Sequence, residues 1–111
     1  MSTRQNDQYG MPVTSSGSDQ IARGLCEALR AAGREVPRDV AVVGFDNWDV
    51  MVDGCRPPLT SIDMDLEGIG RTAAELLLGA INGEPAHGPH ARPCRLVPRE
   101  STEVAPPAPS R

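Results

Sequence analysis

The sequence predicts an α/β fold: a parallel β-α-β unit, a crossing strand and a second amphipathic helix. Three observations predict it. Val40-Ala41-Val42-Val43 is a short apolar run without alternation, as expected of a central strand covered on both faces. Two longer segments, one on each side of it, carry a helical apolar period. The first of these follows a β-prone stretch at Val13-Thr14, so strand, helix and strand come in the order that a parallel pair requires.

In chain order, 1–12 has no hydrophobic period and is expected to be a disordered leader. Val13–Gly17 is a weak strand candidate. In the helix that follows, Ser18 can cap, Asp19 suits the positive end of the dipole, and Gly33 can terminate in the left-handed conformation. Ile21, Leu25, Ala28, Leu29 and Ala32 are expected to share its apolar face, opposite Arg23, Glu27 and Arg30. Pro37 and Asp39 punctuate the entry to the central strand, and Gly44 lets the chain turn out of it. Trp48–Gly54 allows one or two helical turns, and Pro57-Pro58 forbids helix. Leu59–Ile62 alternates as a short strand. A second long helix starts near Asp65 and stops at Gly83, gathering Leu66, Ile69, Ala73, Leu76, Leu77, Ala80 and Ile81 on one side. A Pro/Gly/His loop leads to a last strand within Arg92–Pro98, and 104–111 is a Pro-rich tail expected to lack structure.

With 111 residues the chain is one small domain, and Tyr9, Phe45 and Trp48 are its only aromatics, so the core must be aliphatic. The net charge is −4 and the 11 basic residues, all arginine, form no cluster, which argues against direct grip on nucleic acid. Cys26, Cys55 and Cys94 are odd in number and far apart, consistent with free thiols in a reducing cytoplasm. Met1–Gly10 is polar and has no signal-peptide core, and no apolar run approaches membrane-spanning length; a soluble, cytoplasmic protein is expected.

Asp63, Asp65, Glu67 and Gly68 resemble the opening of a calcium loop, but Ala74 stands where the bidentate Glu is needed. His87, His90 and Cys94 have metal-like spacing without a fourth ligand. No metal and no cofactor is therefore expected. Glycine-rich phosphate loops, a nucleophile elbow and a Cys–His pair are all missing, so nothing supports an enzyme. Asp46 and Asn47 leave the central strand at its carboxyl end, where ligands sit in open parallel sheets. By local sequence, Asp46 either caps the short helix after it or holds a polar ligand.

The ordered segments together resemble the LacI/GalR family of bacterial transcription regulators, from about Val13 to Thr102. The resemblance is carried by Ser18-Asp19-Gln20-Ile21-Ala22-Arg23-Gly24 and by Ala28 through Val40. It continues in Val42-Val43-Gly44-Phe45-Asp46-Asn47, Pro57-Pro58-Leu59-Thr60-Ser61-Ile62, Gly70 through Leu77, and Arg99-Glu100-Ser101-Thr102. It implies an incomplete periplasmic-binding-protein-like (type I) fold, with 13–103 a partial effector-binding domain and a small ligand, often a sugar, held between two lobes. The family aspartate that contacts effector maps to Asp46, with Asn47 beside it, and the asparagine that does so before the Asp-Gln pair is replaced by Ser18. A hydroxyl keeps hydrogen-bonding ability but loses reach. Met64 stands where the family often has Gln.

The resemblance implies that operator DNA is bound only through a helix-turn-helix domain not contained in these residues. It also implies a homodimer, or pairing with a full-length homologue through the first helix and Trp48–Gly54. The apolar stripe of the second helix is expected to be exposed in this chain alone. A sugar-binding module of a transport system and an interaction fragment are the alternatives.

Overall fold

The computed structural model describes residues 2–6 and 11–103, with side chains from Pro12 onward. Strands β1 (Ser2–Asn6) and β2 (Met11–Ser15) pair antiparallel, from Ser2 opposite Ser15 to Asn6 opposite Met11. The disordered leader expected over 1–12 is corrected to that extent. Pairing with the free edge of a strand is carried by backbone groups, so the polar Ser-Thr-Arg-Gln-Asn segment gave no apolar signal. Residues 1 and 7–10 of that leader, and the tail at 104–111, lie outside the described residues.

The expected β-α-β unit is present. Strand β2, helix α1 (Asp19–Ala31) and strand β3 (Ala41–Val43) follow one another, and β2 pairs parallel with β3 from Val13–Ala41 to Ser15–Val43. Ser18 is the N-cap, its Oγ accepting from the Ile21 N–H at 3.2 Å, and Gly33 takes the left-handed conformation with φ +76° just past the end.

The buried face of α1 differs from the expected one. Asp19, Ala22 and Cys26 are buried, with Leu25 and Leu29 packed beside them, whereas Ile21, Ala28 and Ala32 are exposed. A wheel scored by hydrophobicity cannot place an aspartate inward. Here the carboxylate of Asp19 turns into the protein, and the small Ala22 and Cys26 side chains let the helix lie close over β3. The core is Ala22, Cys26, Val42, Val52, Cys55 and Leu59, with Val36 and Val40 against it.

Helix α2 (Asp49–Gly54) leads to strand β4 (Ser61–Asp63), which pairs antiparallel with strand β5 (Arg95–Val97). The two sheets are joined by a parallel bridge between Val43 and Thr60, extended by Gly44 N–H to Thr60 O (2.8 Å) and Asp46 N–H to Ile62 O (3.0 Å). Ser101 is fully buried and stitches the same junction. Its Oγ donates to Val42 O (2.6 Å) and accepts from Thr60 N–H (2.8 Å), and its carbonyl accepts from Val42 N–H.

Helix α3 (Leu66–Ile81) is anchored at its start and largely uncovered beyond it, with only Thr72, Leu76 and Gly79 half-buried after Gly68. Asp65 caps it from the left-handed region (φ 54°), accepting from Gly68 N–H, and its other carboxylate oxygen meets Arg92 at 2.7 Å. That guanidinium holds the Asp65 carboxyl below the usual range, so the tie is complete near neutral pH and is lost as pH falls through the lowered titration. Of the helix only Gly68 is buried; Leu66, Ile69, Leu77, Leu78 and Ile81 are exposed, Ile81 by 71%. Of the stripe expected to be exposed, Leu66, Ile69, Ala73, Leu77, Ala80 and Ile81 are so and Leu76 is half-buried, and each exposed large side chain forgoes part of the about 1.5–3 kcal/mol that full burial is worth. Replacing Leu77 and Ile81 together by glutamate should reduce self-association of the chain in sedimentation velocity without loss of helical circular dichroism. Unchanged association would show that this face is not the adhesive one.

Candidate functional site

The residues singled out by sequence meet at one end of the parallel strands. Ser18 ends the turn after β2, Asp46 and Asn47 leave β3, and Asp63 and Met64 close and follow β4. The first two of these segments are tied by a hydrogen bond from Asp19 N–H to Phe45 O at 2.9 Å, so Ser18 and Asp46 flank a shared contact. Ser16 Oγ donates to Ser18 O at 3.1 Å and fixes the turn from the other side.

Asp46 and Asn47 adopt positive φ, 109° and 57°, in succession. Non-glycine residues there are sparse, and such strain of order 1–3 kcal/mol persists only where the surroundings impose it. They do so here. Asp46 N–H is held by Ile62 O, and Asn47 N–H donates to Ser61 Oγ at 3.0 Å. Ser61 Oγ in turn donates to Asp19 Oδ1 at 2.6 Å, while Trp48 N–H donates to Asp19 Oδ2 at 2.7 Å. One carboxylate, 1% exposed, thereby clamps the Asp46–Asn47 turn through Ser61 before it and Trp48 after it. Gly44 is required by the close approach: an added Cβ would collide with Asp19 Oδ1 and lie 2.8 Å from Leu59 Cδ2.

Asp46 does not cap α2. The N-cap position belongs to Trp48 and has no side-chain capping bond. The half-buried Asp46 carboxylate makes no hydrogen bond or ion pair with any described residue, which leaves both oxygens available. Asn47 Nδ2 reaches Asp63 Oδ2 at 3.4 Å, but Asn47 Oδ1 is buried without a partner. An acceptor in that state is satisfied by a donor from outside the described chain or by water. Ser18 Oγ accepts its cap bond and keeps its hydroxyl proton to donate.

The acidic residues that opened like a calcium loop are engaged with the protein's own donors. Asp63 Oδ1 accepts from Asp65 N–H at 2.8 Å, Arg95 lies 3.6 Å from Asp63 Oδ2, and Glu67 pairs with Arg71 at 3.2 Å. Among the described residues no group of three His, Cys, Asp or Glu is placed to hold a metal ion.

Sequence reasoning missed the clamp. By local rules Asp19 is a dipole partner and Ser61 a strand residue. A signal existed, since Asp19, Ala22 and Cys26 fall on one helical stripe, but it competes with the more hydrophobic neighbouring stripe.

With this geometry in place, the comparisons define the class. A profile described as a periplasmic binding protein-like domain matches residues 10–102, and the chain belongs to that family. Its relatives are HTH-type transcriptional regulators of the LacI kind. The regulator CelR of Thermobifida fusca is 42% identical over 82 residues, covering 74% of this chain and 22% of CelR. In solved structures, the CelR–cellobiose complex superposes with a TM-score of 0.72 at 37% identity, over 80% of this chain and 27% of the other. A dimeric Lac repressor with a C-terminal deletion gives 0.77 at 31%, over 86% and 35%. The chain thus spans about a quarter of the length of the curated relatives it matches. These relatives are regulators, not enzymes, and among the described residues no helix is long and apolar enough to cross a membrane.

Replacing Asp19 by alanine should lower stability in urea by about 3 kcal/mol, because two bonds to a charged group go and the buried Ser61 hydroxyl and the part-buried Trp48 N–H lose their acceptor. Asp19→Asn, which keeps one acceptor, should cost less. Equal stability of Asp19→Ala and the parent would remove the clamp from the account.

Proposed function

We propose that this chain is the C-terminal portion of the effector-sensing domain of a LacI-type transcription regulator. In this reading Asp46, Ser18 and Asn47 are its contribution to a site for a sugar. The observation that carries the proposal is the Asp46 carboxylate, half-buried, unpartnered and held in a strained turn at the strand ends. A carboxylate with both oxygens available accepts two hydroxyl hydrogen bonds, the pattern that adjacent hydroxyls of a sugar supply. Ser18 and Asn47 add a donor and an acceptor on either side of it. The likeness to a regulator solved with cellobiose supports the ligand class.

The remaining groups of the site come, in this reading, from a second lobe, which also covers the apolar stripe of α3. Operator DNA is bound by a further domain, consistent with the net charge of −4 and the scattered arginines. The setting is cytoplasmic. Ile21, Trp48 and Val50, exposed by 51%, 51% and 66%, favour pairing of α1 and α2 with a second copy or with a full-length homologue. The dimeric Lac repressor relative supports that state.

The test is a chimera in which this chain replaces the matching segment of the CelR solved with cellobiose, titrated with cellobiose by calorimetry. The chimera should bind, the chain alone should give no heat, and Asp46→Ala in the chimera should weaken binding about 30-fold, roughly 2 kcal/mol for hydrogen bonds to a charged group. Undiminished binding by Asp46→Ala, at unchanged melting temperature, would contradict the assignment. Tight sugar binding by the isolated monomer would contradict the need for a second lobe.

A further inference from the structure

The arginines are scattered in the sequence, yet the fold gathers three of them at one cavity. Of those whose side chains are described, Arg23, Arg38, Arg71, Arg92 and Arg95 are each ion-paired with a carboxylate, and Arg99 donates to Leu59 O at 2.8 Å. The remaining three are Arg30, Arg34 and Arg56, and none of them meets a carboxylate among the described residues. All three line an open cavity of about 330 Å³ between the C-terminal end of α1, the link into β3 and the segment after α2. In a chain of net charge −4 that engages its other described arginines, three guanidinium groups without a counter-charge mark this cavity.

The frame that carries these groups is fixed. Arg34 N–H donates to Leu29 O at 2.8 Å just past the left-handed Gly33, which sets where its side chain starts. Arg30 donates through Nη2 to Arg56 O at 2.7 Å, tying the α1 guanidinium to the segment that holds the third arginine. The floor is apolar, with Cys26 buried and Val36 and Pro57 half-buried, and arginine stems add methylenes to such a wall. Glu35 is the one carboxylate in the lining, and Arg38, which does not line the cavity, meets it at 3.5 Å. Three guanidinium charges against one carboxylate leave the lining two positive charges in excess. That suits a small dianion and falls short of the roughly 6–10 phosphate contacts of duplex binders.

We propose that this cavity binds a small phosphate monoester with an apolar body, toward the amino end of β3 and so apart from the candidate sugar site at its carboxyl end. A phosphate monoester carries about −1.5 to −2 charge at neutral pH, which matches the excess in the lining. Its oxygens accept paired N–H bonds from the guanidinium fork, a geometry that arginine offers and a point charge does not. The apolar floor takes the organic part, as ligand pockets combine apolar walls with a few polar groups. The side chains of Arg34 and Arg56 are exposed, so the phosphate sits at the mouth with the ester body inward.

The experiment uses the full chain at about 0.15 M salt and titrates it with phenyl phosphate by calorimetry. Phenyl phosphate should bind saturably, one per chain. Inorganic phosphate should bind at least about tenfold more weakly, because it leaves the apolar floor empty, and phenol should give no saturable heat. Arg34→Gln and Arg56→Gln, both at exposed side chains, should each weaken phenyl phosphate binding about tenfold at unchanged melting temperature. Arg71→Gln removes the same charge from α3 and should change the affinity by less than about twofold. Absence of saturable phenyl phosphate binding would overturn the proposal. So would equal affinity for inorganic phosphate, saturable binding of phenol, or undiminished binding by Arg34→Gln and Arg56→Gln. A loss in Arg71→Gln as large as theirs would overturn it too, since overall charge would then account for the binding.

Discussion

The structure depends on one buried carboxylate. Asp19 sits at the first position of α1 with its oxygens aimed at Trp48 N–H and Ser61 Oγ, so that the helix following β2, the exit of β3 and the start of β4 converge on it. A charge this deep is tolerated because each oxygen meets a donor and because it sits at the positive end of its own helix. Gly44 is the corresponding constraint on the strand side, since any larger residue would occupy the space the carboxylate needs. Ser101 performs a similar task a few residues away, joining β3 to the entry of β4 through a single hydroxyl. A small aliphatic core is thus supplemented by buried polar bonds that fix register and direction, which hydrophobic contact alone leaves free.

What the clamp fixes is the Asp46–Asn47 turn, the ligand contact of the proposed function. Asp46 and Asn47 are kept at positive φ by partners on both sides, while the Asp46 carboxylate itself is left unengaged. Strain held in place by a buried charge, next to an unpaired acceptor, is the arrangement expected where a ligand completes the hydrogen bonding. The rest of the molecule offers no comparable concentration of unmet polar groups among the described residues, Asn47 Oδ1 being the buried side-chain atom left without a partner.

Much of this was legible in the sequence, for identifiable reasons. The run at Val40–Val43, the cap at Ser18, the left-handed glycine at Gly33 and the stripe of α3 each follow from a local rule, and each element stands where that rule puts it. The exposure of the α3 stripe, by contrast, was implied only by the family resemblance, in which this helix packs in a lobe whose other strands are not among these residues. Two things were not legible. The polar strand β1 is held by backbone pairing and has no side-chain signature. The inward face of α1 is decided by hydrogen bonds from residues 29 and 42 positions away, which no helical wheel contains.

Stability in this chain is therefore unevenly distributed: concentrated where α1, β3 and β4 meet at Asp19 and Ser101, and low along α3, which lacks a covering surface. Amide hydrogen exchange resolved by residue tests that distribution most directly. The account predicts slowest exchange at Gly44, Trp48 and Thr60, with amides in the second half of α3 exchanging at least about tenfold faster. Protection of α3 equal to that of β3, or rapid exchange at Trp48, would contradict it.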